Sequence, residues 1–151
     1  MVRKDEDIVC KIRNKVKDVV IKNRLINNNE KFILAVSGGP DSMCLLDIFN
    51  FLKEKLKHEF NINFSFCVAH VNHMIREESK KEKIYVENMC NKLNIPFYYR
   101  EVDVPNISKK LHMSEETCGR KLRYDFLYEI KNKINADKIV IAHNMDDNVE
   151  T

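Results

Sequence analysis

The chain is poor in glycine and proline, with three of each in 151 residues. That excludes collagen-like and linker-like chains, which are built from those residues. Apolar runs are short: Phe32–Val36 is one of the longest, whereas a membrane span needs about 20 apolar residues. The N-terminal MVRKDEDIVCK has no apolar core, so no secretory signal and no membrane association are expected. Cysteines Cys10, Cys44, Cys67, Cys90 and Cys118 are never closer than 23 positions, which excludes a CxxC metal or redox motif. An odd count and wide spacing favour free thiols in a reducing, cytoplasmic setting. Cys44, Cys67, Cys90 and Cys118 read as small core residues. Charge of one sign is also scarce. The balance of 26 Lys+Arg against 23 Asp+Glu leaves +3, too little to argue for nucleic acid by itself. What is present is ordinary: 44% hydrophobic and 32% charged residues, as in a globular domain. A chain of this length buries about 68–70% of its unfolded surface, enough for one core. A single domain is expected over 1–151.

Periodicity places the elements. Ile8, Ile12, Val16 and Val19/Val20 predict an amphipathic helix over 5–24. FILAVS (Phe32–Ser37) predicts a strand buried on both faces. A second helix over 42–57 carries Leu45, Leu46, Phe49, Leu52 and Leu56. FSFCVAHV (Phe64–Val71) predicts the second strand, 78–93 a helix, and FYYREV (Phe97–Val102) the third strand. Lys109–Met113 reads as loop or a short turn. Ser114 caps a helix to about 133, with Cys118, Leu122, Phe126 and Ile130 on its inner face. KIVIAH (Lys138–His143) predicts the fourth strand. Strands alternating with helices imply an α/β fold: a parallel, Rossmann-like sheet with helices on both faces and right-handed crossovers. Ligands in such sheets sit beyond the carboxyl ends of the strands, where the strand order switches. Polar motifs do follow the strands: SGGPDS after the first, HVNH at the second, AHNMDDNVET at the fourth. The chain stops inside the last of these, so it is expected to be the N-terminal part of a longer protein.

Ser37-Gly38-Gly39-Pro40-Asp41-Ser42 joins a buried strand to a helix and holds two of the three glycines. Successive glycines let backbone N–H groups turn toward an anion, and the helix adds its positive end. Ser37 and Ser42 supply hydroxyls. The segment reads as a phosphate cradle, though not a Walker A loop, since GxxxxGK[ST] is absent. Asp41 would repel a bare phosphate, which implies a divalent cation between them. The structural alternative is a tight turn with Asp41 as helix N-cap.

The form SGGxDS resembles the PP-loop of the ATP pyrophosphatase superfamily. Three further motifs narrow the resemblance. His70-Val71-Asn72-His73 with Arg76 is similar to the HVNHxxR segment of the tRNA(Ile)-lysidine synthetase family. Arg120-Lys121-Leu122-Arg123-Tyr124 resembles its RxLRY helix, and His143-x-x-Asp146-Asp147-x-x-Glu150-Thr151 its HHxDDQxET motif. Asn144, Asn148, Met74-Ile75 and Cys118-Gly119 depart from the usual residues. The resemblance implies a PP-loop ATPase-type fold followed by C-terminal tRNA-binding domains. It also implies an ATP-dependent ligase that adenylates the C2 carbonyl oxygen of the wobble cytidine in the CAU anticodon of a tRNA(Ile). Free L-lysine then displaces AMP to form lysidine. ATP and Mg²⁺ are the implied cofactors. A tRNA thiolase on the same scaffold is the nearest alternative, but such relatives often need the CxxC clusters missing here. An amidating synthetase and a non-catalytic nucleotide-binding domain are the others.

On this reading Ser37, Gly38, Gly39, Pro40, Asp41, Ser42 and His70 contact the nucleotide. Asp41 and Asp147 hold the metal. His143, Asp147 and Glu150, spaced i, i+4 and i+7, face one way on a helix or its leading turn. Asp147 or Glu150 is the expected base for lysine. A solvated acidic helix start is the plain alternative for that cluster. Arg120 and Arg123 offer guanidinium forks to phosphate or developing charge, on the side away from Cys118, Leu122 and Phe126. Surface pairing with Asp125 or Glu116 is their plain alternative. Gly119, unfavourable inside a helix by about 1 kcal/mol, implies a close approach to something. His70 is expected at the pocket in preference to His73, and His58 and His112 at the surface.

Overall fold

The computed structural model describes residues 4–74 and 79–142. The elements run α1 (Lys4–Lys22), β1 (Lys31–Ala35), α2 (Pro40–Phe60), β2 (Ser65–Asn72), α3 (Ser79–Leu93), β3 (Phe97–Glu101), α4 (Val104–Leu111), α5 (Glu115–Ile134) and β4 (Lys138–Ile141). The four strands form one parallel sheet in the order β3-β2-β1-β4. β1 is central, pairing Lys31 with Ser65 through Ala35 with Ala69 on one side and Phe32 with Lys138 through Ala35 with Ile141 on the other. The order reverses between β1 and β4, which marks the switch point.

Two cores follow from the period-two alternation of β1. Phe32, Leu34 and Val36 face α2 and α3, packing with Leu46, Phe49, Leu52, Leu56, Val86 and Cys90. Ile33 and Ala35 face α5, packing with Cys67, Ala69, Phe126, Leu127 and Ile130. Four rings fasten the first core edge to face: Phe49 lies 5.6 Å from Phe32, 6.1 Å from Phe64 and 5.8 Å from Phe66. α1 lies outside α2, held by a fork from Arg13 to Asp47. Among the described residues no helix is long and apolar enough to cross a membrane.

Three sequence expectations need correction. The segment before Ser114 is not simply loop, because Val104–Leu111 forms α4. Its start is specified chemically: Asp103 accepts from the N–H of Asn106 at 3.2 Å, and Pro105 sits in the first turn, where its missing N–H costs nothing. Cys44 is exposed, unlike the buried Cys67, Cys90 and Cys118, because the buried stripe of α2 runs Ser42, Leu46, Phe49, Leu52 and Leu56. On α5 Cys118, Phe126 and Ile130 are buried as expected, but Leu127 is fully buried where Leu122 is only half-buried, which turns the inner face by part of a turn. The Ser114 cap is as expected, its Oγ accepting from the N–H of Thr117 at 3.2 Å.

Candidate functional site

The last ladder bond at the head of β1 runs from the Val36 N–H to the Ala69 carbonyl at 3.0 Å. The chain then turns through Ser37, Gly38 and Gly39 into α2. Ser42 organises the turn from inside. Its buried Oγ accepts from the N–H groups of Ser37 (3.1 Å) and Gly38 (3.2 Å) and donates to the carbonyl of Gly39 (3.1 Å). The N–H of Gly39 donates to Ser37 Oγ at 3.3 Å. Gly38 adopts φ +93°, a left-handed geometry that side chains rarely accept, and a Cβ there would meet Glu82 of α3 at 3.2 Å. Gly39 is the N-cap of α2 and supplies no side-chain cap, so the positive end of the helix opens toward the turn. Asp41 therefore does not cap. It stands exposed in the first turn.

This turn borders a cavity of about 260 Å³ on the α5 side of the sheet. Its floor is Ala35, Ala69, Val71 and Ile141, its loop wall is Ser37 to Ser42 apart from Gly38, and its far wall is His73, Arg123 and Leu127. The volume is just under the ~300–1,000 Å³ of small-molecule sites. It opens at the carboxyl ends of β1, β2 and β4, across the switch point. Arg123 points into it rather than away from the core, and its Nε is buried without a hydrogen-bond partner among the described residues. The guanidinium groups of Arg120 and Arg123 lie 5.3 and 5.5 Å from the centre of the Tyr124 ring. Lys121 pairs with Asp125 at 3.5 Å.

The two histidines exchange places relative to expectation. Ala69, Val71 and His73 share one face of β2 and its extension, so His73 reaches the cavity. His70 has the opposite parity and is not among the lining residues. It is 2% exposed, with Nδ1 2.7 Å from the Val36 carbonyl and its ring stacked 5.9 Å from Tyr99. The approach implied by Gly119 is to His73: a Cβ on Gly119 would lie 3.1 Å from His73 Nδ1. Burial, reinforced by the Arg123 charge and His70, lowers the His73 pKa and favours the neutral imidazole.

Asp41 is the one carboxylate lining the cavity among the described residues, and those residues contain no cluster of three or more metal-ligating side chains. Arg76, His143, Asp146, Asp147 and Glu150 lie outside the described residues. His58 and His112 are exposed, His112 closing α4 in the left-handed conformation.

Gly119 gives a direct check on the far wall. Alanine there gains up to about 1 kcal/mol of helix propensity. It also forces the His73 ring outward by a few tenths of an ångström. Gly119→Ala should therefore unfold within about 1 kcal/mol of wild type while ATP binding weakens about tenfold. Thermal melts paired with calorimetric titration separate the two effects. Unchanged affinity would mean that the His73 wall of the cavity takes no part in binding.

The PP-loop domain family matches residues 7–151 of the chain. The tRNA(Ile)-lysidine synthase of Clostridium acetobutylicum is 46% identical over 139 residues, covering 91% of this chain and 29% of its own length. That of Clostridium tetani is 44% identical over 137 residues, covering 90% of this chain and 28% of its own length. The chain thus spans under a third of the length of these two relatives. Among solved structures, the U34-tRNA thiolase of Methanococcus maripaludis superposes with a TM-score of 0.72 at 20% identity, over 94% of this chain and 48% of that one. At that identity the likeness concerns the fold.

Proposed function

The chain belongs to the PP-loop domain family, and on that premise we propose that it is the ATP-binding domain of an enzyme that makes lysidine. The enzyme ligates free lysine to C2 of the wobble cytidine in a tRNA(Ile) with a CAU anticodon, releasing AMP and pyrophosphate. The supporting observation is the convergence of a glycine loop, an uncapped helix start, one carboxylate and one buried-stem arginine on a single cavity. The remainder of the longer protein would carry the tRNA-binding domains.

The chemistry has two displacements. The C2 oxygen of cytidine attacks the α-phosphorus of ATP, and pyrophosphate leaves. The ε-amine of lysine then attacks C2, and AMP leaves with that oxygen. Each residue has a part that suits its placement. The turn of Ser37, Gly38 and Gly39, its own amides tied to Ser42 Oγ and Ser37 Oγ, shapes the cradle, and the start of α2 behind Pro40, at Asp41 and Ser42, presents its backbone N–H groups to the phosphates. The residues present fit Mg²⁺. Asp41 offers hard carboxylate oxygens at the mouth of an anion site, and this ion is commonly held by one or two carboxylates plus substrate phosphates. When bound, the ion neutralises charge as pyrophosphate departs. Asp147 is the proposed second carboxylate. Arg123 faces the cavity, where its fork offsets charge on the α-phosphate, and Arg120 beside it suits a tRNA phosphate. Lysine must lose a proton before it attacks, a task assigned to Asp147 or Glu150, with His143 alongside.

The test is a product assay on the full-length protein with α-labelled ATP, Mg²⁺, lysine and unmodified tRNA(Ile) bearing a CAU anticodon. AMP formation that requires both tRNA and lysine, with lysine retained on the tRNA, is the expected result. AMP formed without tRNA would favour an amidating synthetase. ADP, or no product from a folded protein, would exclude the reaction.

A further inference from the structure

His70 does not line the cavity, yet it is the most deeply buried ionisable side chain touching the loop peptide that begins the site. The Val36 carbonyl can only accept a hydrogen bond. The proton in the 2.7 Å contact therefore sits on Nδ1 of the imidazole. In the neutral ring this leaves Nε2 as an acceptor. That atom is buried and has no partner among the described residues. A histidine kept here at the cost of one unpaired nitrogen needs a reason at the other nitrogen.

The reason lies in the peptide plane. The Val36 carbonyl and the Ser37 N–H belong to one planar unit. His70 holds its carbonyl end, and Ser42 Oγ holds its amide end at 3.1 Å. The next amide, of Gly38, reaches the same Oγ at 3.2 Å, and Gly38 rests against Glu82 of α3. The first peptide of the turn is thus clamped from both sides. The imidazole is itself fixed by stacking on Tyr99, whose hydroxyl accepts from Asn72 at 3.2 Å and donates to Glu101 at 2.8 Å.

We propose that His70 is a positioning residue: its Nδ1–H sets the plane of the Val36–Ser37 peptide, so that the turn holds the uncapped start of α2 in place before phosphate arrives. The proposal rests on the reading of this loop as the ATP phosphate site. The role differs from contact with nucleotide, because it acts through one carbonyl and needs only a donor at the Nδ1 position.

That geometric demand makes the test selective. Asparagine places its Nδ2 donor close to where histidine carries Nδ1. Phenylalanine keeps the ring on Tyr99 and has no donor. In the full-length protein, His70→Phe should weaken ATP binding and raise KM for ATP about tenfold with kcat little changed, while His70→Asn restores both to within about threefold. Backbone amide resonances of Ser37 and Gly38 in the ligand-free protein should shift in His70→Phe and return in His70→Asn. Should the phenylalanine variant fail to fold, His70→Leu, smaller and equally without a donor, is read in its place. A folded donor-less variant that binds ATP like wild type, or an asparagine variant no better than it, would overturn the proposal. Wild-type protein that binds no ATP would overturn the phosphate-site reading instead, and the amide resonances would still show whether His70 sets the peptide.

Discussion

Asp41→Ala should lower AMP formation by the full-length protein roughly 10³-fold, equivalent to about 4 kcal/mol of transition-state stabilisation. The size follows from where the residue stands. Asp41 is the one described carboxylate on the cavity, in the first turn of a helix whose start has no side-chain cap. An ion held there would offset charge on the leaving pyrophosphate, and among the described residues no other carboxylate lines the cavity. The fold should be indifferent. Asp41 is exposed and caps nothing, so its removal forfeits only the dipole contribution of about 0.3–1 kcal/mol. Radiolabelled product formation over a range of Mg²⁺ concentrations, beside a circular dichroism melt, gives both quantities. Wild-type turnover in a folded Asp41→Ala protein would sink the metal assignment.

The largest effect on stability is expected at Phe49. Its ring is buried under α2 and makes edge contacts with Phe32, Phe64 and Phe66 at 5.6–6.1 Å. Removing it leaves a cavity walled by three rigid rings that have little freedom to collapse. Phe49→Ala should cost about 3–5 kcal/mol. A domain of this size has about 5–15 kcal/mol in total, so the variant would sit near the edge of stability. Urea unfolding should show a lower midpoint at an unchanged slope. A loss under about 1 kcal/mol would mean that the four-ring cluster repacks freely.

The parts of the fold that were legible in sequence are those where burial dictates residue type. β1 lies between two cores, so FILAV is apolar without interruption, and the polar turn after it stands out. α5 announces itself through Ser114 and the acidic residues behind it. α4 escaped because eight residues give too few turns for a periodic stripe, although Asp103 and Pro105 carried the start signal. The histidine assignment reached the right strand and the wrong parity. His70 was placed at the pocket by its position along β2, whereas the face is set by counting in twos from Ala69, which selects His73. Cys44 failed for a similar angular reason, lying off the stripe that contains Leu46 and Phe49. Arg123 was read as offering its fork to phosphate from the side away from Cys118, Leu122 and Phe126, with surface pairing as the alternative. Only the packing of α5 on the sheet reveals that its stem is covered and its head enters the cavity.

The distribution of glycine has a bearing on how this chain tolerates mutation. Other residues also enter left-handed geometry: Arg24, Asn29, Asn61, Asn94, His112 and Asn135 at helix ends and turns, and Met74 beside His73. All three glycines border the loop or the His73 wall. In a saturation-mutagenesis map of the domain, losses at the Gly39 and Gly119 columns would therefore report on activity far more than on folding, while those at Gly38, strained at φ +93°, would report on both. The asparagine columns at helix ends would do the reverse. The two kinds of backbone exception would separate functional from architectural selection within one short sequence.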